Sequence, residues 1–338
     1  MTFITTDIIK TLPRWISPPR QRRVPPRRRV MFLHRPAHNA IGSKVMRCDQ
    51  LAQIATREFG HRYDFEVVKL HMPGQARRQR ELIERTRGAI VILLKGAEHS
   101  FDDDGLSALR EAVRGLCIDH VDSTMHGRAV SLADVQIAAS NAGFQTLQRL
   151  IRGTGTNGHY SGVARLLTHH ADPRIVKRSD LTDNRVKLGY FGALHNTIIP
   201  PDLTDAIHAP PMRGGTGFAD ILGAVRRSNM HYAVRPRPQA GRCAGHKPFT
   251  KGFNAASANA NIIINRDADD ALDYLGPDYP FLIKDASPAS IIEGVRYAED
   301  AFGSAEWRYG LEIMDHVRRQ CALDRIMEQL ASILELFD

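Results

Sequence analysis

The chain of 338 residues has four cysteines, two tryptophans and only 7% aromatic residues. Cys48, Cys117, Cys243 and Cys321 stand far apart and form no CxxC pair. A disulfide framework is therefore excluded, and the spacing fits reduced thiols of a cytoplasmic protein. No apolar run approaches the ~20 residues that cross a bilayer. Pro13, Arg14 and Pro18 interrupt the N-terminal region before any long apolar segment, so no signal peptide is expected there. GxxxxGK[ST] is absent, and no GxGxxG follows a predicted strand. A Walker-type phosphate loop is thereby removed, and an NAD-type oxidoreductase is disfavoured.

What remains is the composition of an ordinary globular protein, 43% hydrophobic and 25% charged, long enough for two domains. The net charge of +9 is unevenly placed. Residues 1–29 hold eight basic side chains against the single acid Asp7, which leaves the rest of the chain close to neutral. A nucleic-acid-binding body should carry a basic face, so no nucleic-acid partner is expected. PPRQRRVPPRRR is broken by proline and cannot be a helix. Residues 1–29 are expected to form a basic tail, either solvated or held on an anionic membrane surface at about 1 kcal/mol per basic residue. Localisation is then expected to be cytoplasmic, peripheral to the membrane only in the second of these two cases.

From Val30 onward the pattern alternates. Strands are expected at Val30–His34, Phe65–Leu70, Ala89–Leu94, Leu116–Val121, Val135–Ala139 and Ala164–Thr168. Between them lie helical segments at Ser43–Phe59 (with Ser43 as its N-cap), Gln75–Arg87, Ser100–Gly115 and Gly143–Ile151. AIVILL at residues 89–94 has the continuous apolar character of a strand buried on both faces. The pattern restarts after a charge-rich hinge near Arg174–Asn184, with strands at Val186–Phe191, Met230–Val234 and Ile262–Ile264. A helix follows at Pro288–Phe302, then a helical tract at Leu311–Phe337. The fold class is α/β, with a doubly wound parallel sheet in each half. Residues 199–217 are rich in proline and glycine and give no clear element. Asp102–Asp104 precede GLSALREAV and suit a helix cap with favourable dipole placement rather than a metal site. No metal is expected.

Ligands of open parallel sheets bind beyond the carboxyl ends of the strands. In the first half that rule selects His34, Arg35, His38 and Asn39, then Lys95 and His99, Asp122 and Ser123, and Ser140 and Asn141, a set suited to acid–base and hydroxyl chemistry. In the second half it selects His195, Asn196, Arg235, Lys247, Thr250 and Lys251, which suit an anion. Arg235 ends the strand HYAV with Pro236 and Pro238 behind it, and a planar fork can hold two phosphate oxygens. The segment HKPFTKGFNAASANANIIIN, residues 246–265, reads as a basic loop, a short helix, a tight turn and a buried strand. A helix N-terminus beside a hydroxyl and two ammonium groups suits a phosphate or diphosphate.

That segment resembles the donor-binding motif of two-domain glycosyltransferases of the GT-B type, where K-P-x-T-K precedes a small-residue helix. Val30–Ser43, VDS at 121–123, ADVQIAAS at 133–140 and KLGYFGA at 187–193 are similar in the same order. The resemblance covers about residues 30–310. It implies two Rossmann-like domains facing a cleft, acceptor-side at 30–180 and donor-side at 181–310, with residues 311–338 as a helix that crosses back. It also implies transfer of a sugar from a nucleotide-sugar to a glycan or lipid-linked hydroxyl acceptor, in surface polysaccharide or glycoconjugate synthesis, without a cofactor. His38 and Asp122 are then the candidate bases. His195, Asn196, Arg235, Lys247, Thr250 and Lys251 are the candidate donor-binding residues. Two departures matter. Asn259-Ala260-Asn261 replaces the usual Gly-x-Pro, and the acidic pair of many retaining relatives is missing. A catalytically degenerate fold that binds a nucleotide or a partner protein is the alternative.

Overall fold

The computed structural model describes residues 26–38, 42–125, 128–153, 161–177, 184–211, 217–236 and 245–338. The first half forms β1 (Arg28–His34), β2 (Tyr63–Lys69), β3 (Ile90–Leu94), β4 (Gly115–Val121), β5 (Val135–Ala138) and β6 (Val163–Leu166). They lie in the order β2-β1-β3-β4-β5-β6, and each pairing is parallel. The second half forms β7 (Leu188–Gly189), β8 (Ile207–His208), β9 (Met230–Tyr232), β10 (Asn261–Asn265) and β11 (Leu282–Ile283). Their order is β11-β10-β9-β7-β8, again all parallel. Two α/β sheets are present, as the alternation implied.

Strand alternation divides the first core cleanly. Val30 and Phe32 of β1 face one layer with Leu51 and Ala55, whereas Met31 and Leu33 face the other with Leu82 and Leu106. Successive side chains of a strand point to opposite faces, so apolar residues at every position mean helices on both sides. The second core depends more on rings. Phe249, Phe253 and Tyr274 pack with centroids 4.9–5.5 Å apart, and Phe281 and Trp307 meet at 5.5 Å.

Four sequence expectations need correction or completion. The stretch assigned to the tail ends early, because Arg28 and Arg29 already belong to β1. Arg28 pairs with Asp338, and Arg29 donates to the carbonyls of Arg85 (2.8 Å) and Arg87 (2.9 Å). Residues 1–25 lie outside the described residues. Ser43 does not cap the first helix; it lies within it, and its Oγ has no hydrogen-bond partner. That helix runs Gly42–Lys44, continues in π geometry over Val45–Gln50, and finishes as Leu51–Phe59. The C-terminal tract is two helices, Ala305–Gln320 and Leu323–Leu334. Trp307, Met314 and Val317 pack into the second core, while Ile326, Leu330 and Ile333 pack into the first. The short strands β8 and β11 were not anticipated.

Asp102 caps the helix Asp103–Ala112, its carboxylate accepting from the Gly105 N–H at 2.7 Å. Asn259 takes the left-handed conformation, φ 59°, that closes the helix Thr250–Ala258. Asparagine tolerates that region better than other residues with a Cβ, so the departure from Gly-x-Pro preserves the turn. Among the described residues no helix is long and apolar enough to cross a membrane.

Candidate active site

The carboxyl ends of the two sheets face each other, and the helix Thr250–Ala258 opens at their junction. Its start is anchored by the buried rings of Phe249 and Phe253. No side chain caps its first turn, so its leading N–H groups remain available. Lys251 occupies that turn, half-buried, with its ammonium 5.1 Å from the centre of the Tyr190 ring. Among the described residues no carboxylate pairs with it. Burial, with the charges of Arg235 and Lys247, lowers its pKa to about 7. Tyr190 donates its hydroxyl to the Ala193 carbonyl at 2.7 Å, which folds the loop after β7 around the lysine. Gly192 belongs to this loop, and a Cβ there would stand 2.9 Å from the Tyr190 hydroxyl and 3.1 Å from Lys251 Cε.

Arg235 follows β9 and is buried. Its N–H donates to Asn265 Oδ1 at 2.9 Å, and its guanidinium reaches the carbonyls of Pro248 (3.1 Å) and Lys247 (3.4 Å). The expected fork for two phosphate oxygens is thus turned onto the loop that leads into the helix. Arg235 shapes that loop and adds positive charge beneath Lys251. Thr250 is the first residue of the helix. His195 and Asn196 lie in a 3-10 turn, Leu194–Asn196, with Asn196 Nδ2 2.9 Å from His195 Nε2. His195 is exposed, and among the described residues no hydrogen bond or ion pair joins either residue to Lys251.

On the opposite wall, Asp122 follows β4, and both of its oxygens are occupied. Lys95 pairs with one, and Lys247 donates to the other at 2.8 Å across the cleft. Burial alone would raise this carboxyl, but the two ammonium groups and their hydrogen bonds outweigh it and hold the pKa at about 2. In this state Asp122 is a weak proton acceptor, unlike the base that the sequence suggested. The residue before it is strained: Val121 has φ 53°, in the left-handed region that β-branched residues avoid, where the pairing of β4 with β5 shifts register. His38 ends a 3-10 turn, Pro36–His38, and its side chain lies outside the described residues.

Further contacts cross the cleft. The Asp270 carboxylate accepts from the N–H groups of Asn141 (2.9 Å) and Ala142 (3.0 Å), filling the start of the helix Asn141–Ile151. Burial pushes Asp270 up to about 6, against those two hydrogen bonds. His246 bridges Asp269 Oδ1 (3.1 Å) and Thr146 Oγ1 (3.0 Å). A Cβ on Gly245 would stand 2.2 Å from the Asp122 carbonyl, so the two walls touch there through main chain. Asp269, Asp270 and His246 were not picked out from the sequence. Asp269 is met by His246 and Lys247 of its own half, whereas Asp270 and His246 reach Asn141, Ala142 and Thr146 at least 100 residues away, and no local pattern encodes such pairings.

This arrangement was compared with known proteins. No protein-family model matches the chain, and no curated relative does either. Solved structures do match. A glycosyltransferase from Rickettsia africae is 10% identical with a TM-score of 0.64, covering 92% of this chain and 98% of its own. Sucrose-phosphate synthase from Thermosynechococcus elongatus is 9% identical with a TM-score of 0.61, covering 92% and 99%. HepE of Anabaena, solved with UDP, is 12% identical with a TM-score of 0.57, covering 91% and 99%. The chain has the GT-B fold. In that fold the two sheets form the walls of a cleft, and here the Lys251 helix lies on one wall and Asp122 on the other. At such low identity the likeness extends to the architecture, and the residues of this chain must carry the chemistry.

Proposed function

We propose that the chain is a glycosyltransferase that moves a sugar from a nucleoside-diphosphate sugar to a hydroxyl acceptor, in the synthesis of a surface glycan or glycoconjugate. The observation that carries this reading is Lys251. A half-buried ammonium without an acid partner, at an uncapped helix start and beside a second buried cation, is costly until an anion arrives. A diphosphate meets all of these features at once. The helix N–H groups take phosphate oxygens, and the ammonium neutralises charge as the sugar–phosphate bond breaks. Arg235 contributes through the loop it holds and through its charge. Lys247 and Thr250 stand beside the same position, and His195 and Asn196 flank the loop around Gly192. HepE, which shares the fold, is a protein solved with UDP and with UDP-glucose, and this supports a nucleotide-sugar as the partner.

The acceptor belongs on the wall formed by the first sheet, where His38 and Asp122 follow β1 and β4. The alternative is a degenerate fold that binds a nucleotide without catalysis. The use of the Arg235 fork on carbonyls and the double pairing of Asp122 favour it. Incubation with UDP-, GDP-, TDP- and CDP-sugars separates the two. Release of nucleoside diphosphate, slow without acceptor, supports the enzyme. Thermal stabilisation by a nucleoside diphosphate without any turnover supports the binding module. Stabilisation by NAD and by none of the nucleotides contradicts both.

A further inference from the structure

We infer that Asp122 and the donor's diphosphate compete for Lys247, so that donor binding releases the Asp122 carboxylate to receive the acceptor hydroxyl. The inference rests on the proposed donor site and assigns it an order of binding. Three observations carry it. First, Lys247 and Lys251 enter the same short segment, yet only Lys251 lacks an acid, whereas Lys247 donates to Asp122 at 2.8 Å from the other wall. Second, the two partners differ in freedom. The Lys247 side chain is 47% exposed on a flexible stem, while that of Asp122 is 18% exposed. When a diphosphate settles on the helix start, Lys247 is the group that moves.

Third, Asp122 is held in place independently of Lys247. Lys95 keeps the other carboxylate oxygen. Val121 stays in its strained conformation beside Asp119, which is itself clamped by Arg47 Nε at 2.7 Å. Arg47 Nη1 in turn donates to the Leu167 carbonyl at 2.6 Å. Strain of this kind persists only where the surroundings over-determine it, and it concentrates at functional sites. Losing Lys247 therefore leaves the carboxylate in position, still ionised beside Lys95, with one oxygen turned to the cleft. A hydroxyl can then donate to that oxygen. Without donor Lys247 stands on that oxygen, so an acceptor arriving first must share it with an ammonium.

A double-mutant cycle on nucleoside diphosphate binding tests this, with UDP as the probe and GDP, CDP and TDP in parallel. Asp122→Asn removes the competitor and should tighten binding about three- to tenfold, the scale of a partly buried ion pair. Lys247→Met should weaken binding. In the Lys247→Met background, adding Asp122→Asn should change affinity by less than about twofold, because the contested cation is gone. Asp122→Ser, which also removes the charge, must give the same pattern and serves if Asp122→Asn does not fold. Tightening that persists undiminished without Lys247 is a long-range charge effect and overturns the competition. Unchanged or weaker binding in Asp122→Asn overturns it as well. If no nucleoside diphosphate binds the wild type or any variant, the donor site itself is wrong, and the inference falls with it.

Discussion

The two halves of this molecule share a topology but are held together differently. The first sheet is built from strands of four to seven residues, and its polar interior is neutralised by pairs such as Arg47 with Asp119. The second sheet has three strands of only two residues, and its core leans on stacked and edge-on rings. Each half also buries an arginine. Arg47 donates to a carboxylate, whereas among the described residues the Arg235 guanidinium donates to carbonyls, with Asp269, Asp270 and Asp122 acting on it through charge alone. The first half thus spends its cation on the fold. The second places Arg235 and Lys247 near the Lys251 ammonium, with which no carboxylate pairs among the described residues. The comparison separates two uses of a buried cation: folding stability in paired interior groups and, under the proposed function, ligand affinity in unpaired ones.

The largest expected effect comes from breaking the paired site. Arg47→Ala leaves Asp119 buried without its cation and should lower stability by about 3–5 kcal/mol in urea unfolding. Replacing both, as Arg47→Met with Asp119→Leu, should recover most of that loss. If the single substitution costs less than about 1 kcal/mol, the pair does not hold the first half as described. In the second half Phe253→Ala should cost about 3–4 kcal/mol, since it opens the ring cluster that anchors the Lys251 helix. It should also weaken nucleoside diphosphate binding, and full affinity in that variant would separate the ring cluster from the site.

A smaller effect sharpens the same contrast. Burial and neighbouring charge lower the Lys251 pKa to about 7, and under the proposed function its charged form is the one that attracts phosphate. Affinity for a nucleoside diphosphate should fall as pH rises from 7 to 9, by at most about tenfold per unit. Lys251→Arg should remove this dependence, because arginine keeps its proton. Stability should move the other way over that range: the unfolded chain retains a proton that the folded lysine has released, so the penalty this buried ammonium places on folding shrinks as pH rises. Calorimetry across the range checks both signs, and identical profiles for wild type and Lys251→Arg would contradict the assignment.

How much of this was legible beforehand follows the range of the interactions. AIVILL at residues 89–94 announced β3 because both faces are apolar, and Ile262–Ile264 did the same for β10. Leu282–Ile283 and Ile207–His208 are too short to show any period and are strands only because a neighbour pairs with them. The C-terminal tract looked continuous because Cys321 and Ala322, between the two helices, carry no breaker that a sequence reader would notice. In the site, Lys251 and Arg235 could be placed by strand-end logic. The direction of the Arg235 fork could not, since its carbonyl partners belong to a loop 12 and 13 residues away. The pairing of Asp122 with Lys247 spans 125 residues and joins two walls, and nothing local foretells it.

The central claim is that the unpaired Lys251 ammonium holds the diphosphate of the donor. Titration calorimetry of UDP, GDP, CDP and TDP into wild type and Lys251→Ala at pH 7 tests it directly. At least one of them should bind the wild type, and Lys251→Ala should weaken that binding by about 1–3 kcal/mol while leaving the melting temperature nearly unchanged. Equal affinity in the two proteins would contradict the account.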